Sequence, residues 1–146
     1  MKLVVIESPY AAPTPQGIEL HLEYARRAFA HSLKKGEAPF GSHLLYTQKG
    51  ILDDAIPAER RLGIDAGFVW GAHAELRAVY IDMGISLGMA KGIFDGMRRG
   101  QRCEFRSLQR DTIDLLTHLG EGFTAGTLFN ALSLKYGRSN APKRTT

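Results

Sequence analysis

The chain has 146 residues, 44% of them apolar and 23% charged, with one cysteine and a formal charge of +4. A chain of that length buries roughly two-thirds of its unfolded surface as a single domain without staples. The totals exclude an intrachain disulfide, and no stretch approaches the ~20 apolar residues of a membrane span.

The positive charge is a property of the tail. Lys135, Arg138, Lys143 and Arg144 fall within residues 135–146 with no acid among them, so the remainder is neutral. A basic face for nucleic acid is therefore not the expectation. The start, MKLVVIESPY, is too short and wrongly flanked for a signal peptide, and cytoplasm is the expected location.

Lys2–Glu7 is an apolar run (Leu3 to Ile6) stopped by Ser8-Pro9, and it reads as a buried strand. Tyr10–Gly17, with two prolines and a glycine, reads as loop. Ile18, Leu22, Ala25, Phe29 and Leu33 recur at helical spacing, which predicts a helix over Ile18–Lys35 ended by Gly36. A short second strand is expected within Ala38–Tyr46, then a loop holding Gly50, Asp53 and Asp54.

Pro57 suits the first turn of a helix running to about Ala72, with Leu62, Ala66 and Val69 on its inner face. Leu76–Asp82 is a third strand. Met83-Gly84-Ile85 is a turn, Ser86 a helix cap, and the helix runs to about Arg99. Gly100 closes it, and Arg102–Leu108 is the fourth strand. Strands alternating with helices predict a doubly wound parallel sheet of about four strands, and 2-1-3-4 is the commonest order for so small a sheet. Beyond it, Asp111–Leu119 and Thr124–Tyr136 read as a helical hairpin (109–136) packed on the same domain or on a partner subunit. A helix-turn-helix is the alternative, disfavoured because Leu128, Phe129, Leu132 and Leu134 are apolar. Residues 137–146 form a basic tail expected to lack fixed structure.

In such a sheet, ligands bind beyond the carboxyl ends of the strands at the topological switch point. With order 2-1-3-4 that crevice lies between strands one and three, where two clusters fall. The first is Glu7, Ser8, Pro9 and Tyr10. The second is the segment Asp82-Met83-Gly84-Ile85-Ser86-Leu87-Gly88-Met89, with Asp82, Gly84, Ile85, Ser86, Gly88 and Met89 as its candidate ligand contacts, at a helix start whose free N–H groups favour an anionic or hydroxyl-rich ligand. Tyr10 offers a stacking face. His43 is the most site-like of the histidines, and Arg60 is a candidate anion clamp. Each has a plainer alternative: Glu7 paired with an arginine, Asp82 holding the Gly84 turn, His43 structural, Arg60 in a surface charge run. Trp70 and Met89 are expected in the core, and Cys103 as a buried thiol. No metal-ligand spacing is present, and no metal or cofactor is expected.

The segments VVIESPYA, YARRA, GEAPFGSHLLYTQ, LDD with PAERRLGIDAG, and YIDMGISLGMAKGI resemble the nucleoside 2-deoxyribosyltransferase-like superfamily, most closely a small phage-type branch, over about residues 3–108. The resemblance implies a flavodoxin-like fold, subunits that complete one another's pockets in a homo-oligomer, and a helix-borne glutamate that attacks the sugar. Related sequences read GMxxEI where this chain has Gly88-Met89-Ala90-Lys91-Gly92-Ile93. Gly92 therefore stands where that glutamate would be, and only Glu7 or Asp82 could substitute.

The favoured expectation is a pocket for a nucleoside- or nucleotide-type small molecule without the usual nucleophile. A phage-encoded form would sequester a nucleotide-derived immune signal in the host cytoplasm. One alternative is an active N-glycosidase or deoxyribosyltransferase using Glu7 or Asp82 as its catalytic carboxylate. The other is a nucleic-acid-associated protein using the C-terminal hairpin and tail.

Overall fold

The computed structural model describes residues 1–109. Eight elements follow in chain order: β1 (Lys2–Glu7), α1 (Pro15–Lys34), β2 (Glu37–Phe40), α2 (Ser42–Leu45), α3 (Pro57–Gly71), β3 (Leu76–Tyr80), α4 (Leu87–Arg98) and β4 (Arg102–Arg106). The four strands form one parallel sheet in the order β2-β1-β3-β4, the topology expected from the alternation. Val4 of β1 lies opposite both Pro39 of β2 and Leu76 of β3, and Val79 of β3 lies opposite Phe105 of β4.

Strand alternation divides the core into two layers. Val4, Ile6, Leu76, Ala78 and Tyr80 pack with Tyr24 and Ala28 of α1 on one face. Val79, Ile81, Cys103 and Phe105 pack with Met89, Ala90 and Ile93 of α4 on the other. The sheet is doubly wound, and its connections leave β1 and β3 toward opposite faces. That splay opens the crevice.

Several boundaries and faces differ from expectation. α1 begins at Pro15, because Thr14 caps it through a 3.1 Å bond from the Gly17 N–H. Pro15 needs no N–H at that position, so two prolines did not enforce a loop through Gly17. Leu33 is exposed, the inner face being Tyr24, Ala25, Ala28 and Ser32. The short helix α2 is additional. Leu62 and Val69 are not on the inner face of α3: they are 60% and 67% exposed, and Gly71 is its only fully buried residue. The reason is that the inner face of α3 is the row Gly63, Gly67 and Gly71, where a Cβ would come within 3.2 Å of Leu52, Ser42 and Arg77. Trp70, expected in the core, is 57% exposed, while Met89 and Cys103 are buried as expected. No described helix is long and apolar enough to cross a membrane. The expected hairpin (109–136) and tail (137–146) lie beyond the described residues.

Two arginines are buried, one on each face of the sheet. Arg106 of β4 donates two 2.7 Å bonds to the carboxylate of Glu37, which also accepts from Ser32 at 2.6 Å. Arg77 of β3 pairs with Glu7, with Asp95 at 3.5 Å, and with Gln101 at 3.1 Å. A buried guanidinium is tolerable only when its donors are met. Here they are.

Candidate functional site

A cavity of about 280 Å³ opens where β1 ends. Its floor is Glu7 and Ser8, continued by Tyr10 and Ala11. One wall is the first turn of α4, from Ser86 to Met89, and the other is His43 and Tyr46 with Glu59, Arg60, Gly63 and Ile64 of α3. Its size is at the small end of ligand sites and suits a compact molecule.

Glu7 reaches this position because β1 alternation sends its side chain to the α4 face, where little room exists. Three glycines make the room. A Cβ on Gly92 would fall within 2.7 Å of all three Glu7 carboxyl atoms. One on Gly96 or Gly71 would come within 2.9 Å of the Arg77 guanidinium group. The Glu7 and Arg77 side chains are 15% and 2% exposed. Burial pushes the Glu7 carboxyl up to about 7, more than Arg77 draws it down.

Ser8, also buried, lies 2.7 Å from Nε2 of His43. Burial pushes the His43 imidazole down to about 4, so it is neutral at physiological pH. A neutral ring shares one hydrogen with the Ser8 hydroxyl, leaving that hydroxyl able to give or take a further bond at the cavity surface. Ser86 caps α4 by accepting from Met89 N–H at 3.2 Å. The first-turn N–H groups of Leu87 and Gly88 have no intrahelical carbonyl to meet. Arg60 is tied to Asp54 in a partly exposed ion pair.

Of the sequence candidates, Glu7, Ser8, Tyr10, His43, Arg60, Ser86, Gly88 and Met89 line one cavity. Pro9, Asp82, Gly84 and Ile85 do not. Ile85 is buried in the core. Gly84 takes φ 80° in the turn before α4. Asp82 accepts bonds from Tyr24 at 2.6 Å, from the Leu108 N–H at 2.8 Å and from the Ser107 hydroxyl. Burial opposes its ionisation, and these donors outweigh it, holding the carboxyl below its usual range. Its contacts fasten the segment after β4 to α1.

Tyr46, Gly63 and Ile64 were not anticipated, and neither was Arg77, which builds the site from behind. A lone arginine in the otherwise apolar run LRAVYI is a signal, because such a strand is covered on both faces and its charge must find a partner. Among the described residues, no group of three or more His, Cys, Asp or Glu side chains could hold a metal ion.

The fold and crevice define a small doubly wound α/β domain with a ligand-sized cavity at its switch point. Within that class, residues 2–106 match the family described as a domain of unknown function (DUF7768), and the chain belongs to it. No curated protein matches the chain. A solved structure of a 2-desoxiribosyltransferase from Leishmania mexicana is similar at 14% identity with a TM-score of 0.48, over 97% of this chain and 100% of that one.

Proposed function

We propose that this cavity binds the nucleoside portion of a nucleoside- or nucleotide-type ligand, and holds it without cleaving it. The observation that carries the reading is the state of Glu7. It is the carboxylate at the inner end of the cavity, and it lies against Gly92 in an ion pair with Arg77. A glycosyl-transfer nucleophile has to be ionised and free to reach an anomeric carbon. Glu7 is engaged by a buried guanidinium, which suits a hydrogen-bonding role. Ser8 and His43 add neutral polar groups, and Tyr10 and Tyr46 add aromatic surface beside them. That combination fits a base and a sugar. The motif resemblance to nucleoside 2-deoxyribosyltransferases supports the same ligand class. Sequestration of a nucleotide-derived signal is the role a binder without turnover would fill.

One observation favours a second reading. A carboxyl titrating near 7 is well matched to acid–base chemistry at neutral pH, so N-glycosidic cleavage assisted by Glu7 is the alternative. Asp82, the other carboxylate considered, does not line the cavity. The experiment is incubation with 2′-deoxynucleosides, nucleoside monophosphates and ADP-ribose, reading thermal stabilisation and free base together. Stabilisation without base release is expected. Base release that disappears in Glu7→Gln would establish the enzyme instead, and no stabilisation by any of these compounds would end the nucleoside reading.

A further inference from the structure

The two sheet faces hold the same kind of buried pair, an arginine with a glutamate, and complete it differently. On the α1 face both oxygens of Glu37 are met. Oε1 accepts from Arg106 at 2.7 Å, and Oε2 accepts from Arg106 at 2.7 Å and from Ser32 at 2.6 Å. On the α4 face Arg77 spreads its donors over Glu7, Gln101 and Asp95, and it reaches Glu7 at Oε1 alone. Oε2 of Glu7 accepts no hydrogen bond among the described residues. Yet no buried side-chain oxygen among those residues lacks a partner. Oε2 is therefore open to space, and the space Glu7 lines is the cavity.

An ionised carboxylate accepts hydrogen bonds and cannot donate them. A ligand that displaces water from Oε2 has to replace the lost donor, because a charged acceptor left unmet in the interior is costly. The other charges of the lining add to this demand. Asp54 and Glu59 are carboxylates, and the lining cation Arg60 is tied to Asp54.

We infer that the inner end of the cavity selects for a hydrogen-bond donor on the ligand, a sugar hydroxyl or a base N–H, and that Oε2 of Glu7 is the atom that accepts it. This rests on the nucleoside reading above and adds the group by which the nucleoside is recognised. Arg77 holds the other oxygen, and Gly92 leaves the carboxylate its room.

The test is calorimetric titration of the full chain at about pH 8, above the value near which the Glu7 carboxyl titrates. Adenosine, guanosine, cytidine and uridine are compared with analogues lacking the 2′-, 3′- or 5′-hydroxyl, or lacking the amino group or ring N–H of the base. In the wild type, one such deletion should weaken binding about ten- to hundredfold, the size of a hydrogen bond to a charged group. A sugar deletion with this effect assigns the donor to a hydroxyl, and a base deletion assigns it to an N–H. In Glu7→Gln the amide oxygen can stay on Arg77 while the NH2 turns to the ligand, so the penalty should vanish or reverse. Glu7→Ala combined with Arg77→Leu, which strands neither partner's charge, should abolish it as well. Affinities that no deletion lowers, or a penalty that persists in these variants, overturn selection by Glu7 and leave the nucleoside pocket standing. Binding of none of the compounds overturns both.

Discussion

The carboxylate of Glu7 occupies the volume that any side chain at position 92 would need. The strand supplies a carboxyl group to this part of the cavity, and the helix opposite supplies only backbone. The two positions are therefore coupled sterically: one can carry a side chain here, and the other cannot.

A methyl group at position 92 is enough to test that coupling. Gly92→Ala should destabilise the protein by about 1–3 kcal/mol, the usual range for overpacking. The same substitution should cost much less in a Glu7→Ala background, because the neighbour that clashes is gone. Urea denaturation of the four proteins of this cycle gives the answer; equal costs in both backgrounds would show that the two residues do not compete for space.

Glu7 and His43 should give the protein opposing pH dependences. The Glu7 carboxyl rises from 4.5 to about 7 on folding. Between those values the folded chain keeps a proton that the unfolded chain has released, so this contribution falls as pH rises. The His43 imidazole drops from 6.5 to about 4. Over that window the unfolded chain binds the extra proton, and this contribution rises with pH. Chemical denaturation between pH 4.5 and 7 should show Glu7→Gln gaining stability on the wild type as pH increases, and His43→Gln losing ground. Parallel curves for all three would contradict both assignments.

Ser8 is the polar group of the floor that does not carry charge. Ser8→Ala should weaken nucleoside binding by about tenfold, the equivalent of one hydrogen bond of ~1.4 kcal/mol. Its cost to folding should stay near 1 kcal/mol, so binding and melting can be separated in the same preparation. Unchanged affinity with an altered melting temperature would make Ser8 a structural partner of His43 and nothing more.

On the other sheet face, Arg106→Leu strands the Glu37 carboxylate in the interior. The expected loss is about 3–5 kcal/mol, a large share of the 5–15 kcal/mol of a typical domain. Replacing both partners, Glu37→Leu with Arg106→Leu, should recover most of it, since the penalty comes from the unmatched charge. Unfolding midpoints of the single and double variants check this.

Much of the architecture was legible because it follows from periodicity. The run Leu3–Ile6 stopped by Ser8-Pro9 marks a strand and its end, the strand–helix alternation marks a parallel sheet, and the commonest order for so small a sheet is the one found, β2-β1-β3-β4. That order alone brings Glu7 and Ser86 to one crevice. What periodicity could not carry was the depth of the cavity. Leu62 and Val69 have the spacing of an inner face, yet the glycines Gly63, Gly67 and Gly71 form that face and leave them in solvent. Asp82 ends its strand toward the crevice in sequence, but Tyr24, Ser107 and Leu108 claim its oxygens. These partners are distant in the chain, and no local pattern announces them. Arg77 was missed for the converse reason: its partners Glu7 and Asp95 come from two other elements.

The thin packing of α3 has a dynamic counterpart. A wall of fifteen residues with a single fully buried glycine opens locally at low free energy, well before the sheet does. Its amides should exchange with deuterium sooner than those of α4, whose inner side is closed over Ala90, Ile93 and Gly96. Breathing of that one helix would change the shape of the chamber it walls, and occupancy would be read as slowed exchange along it.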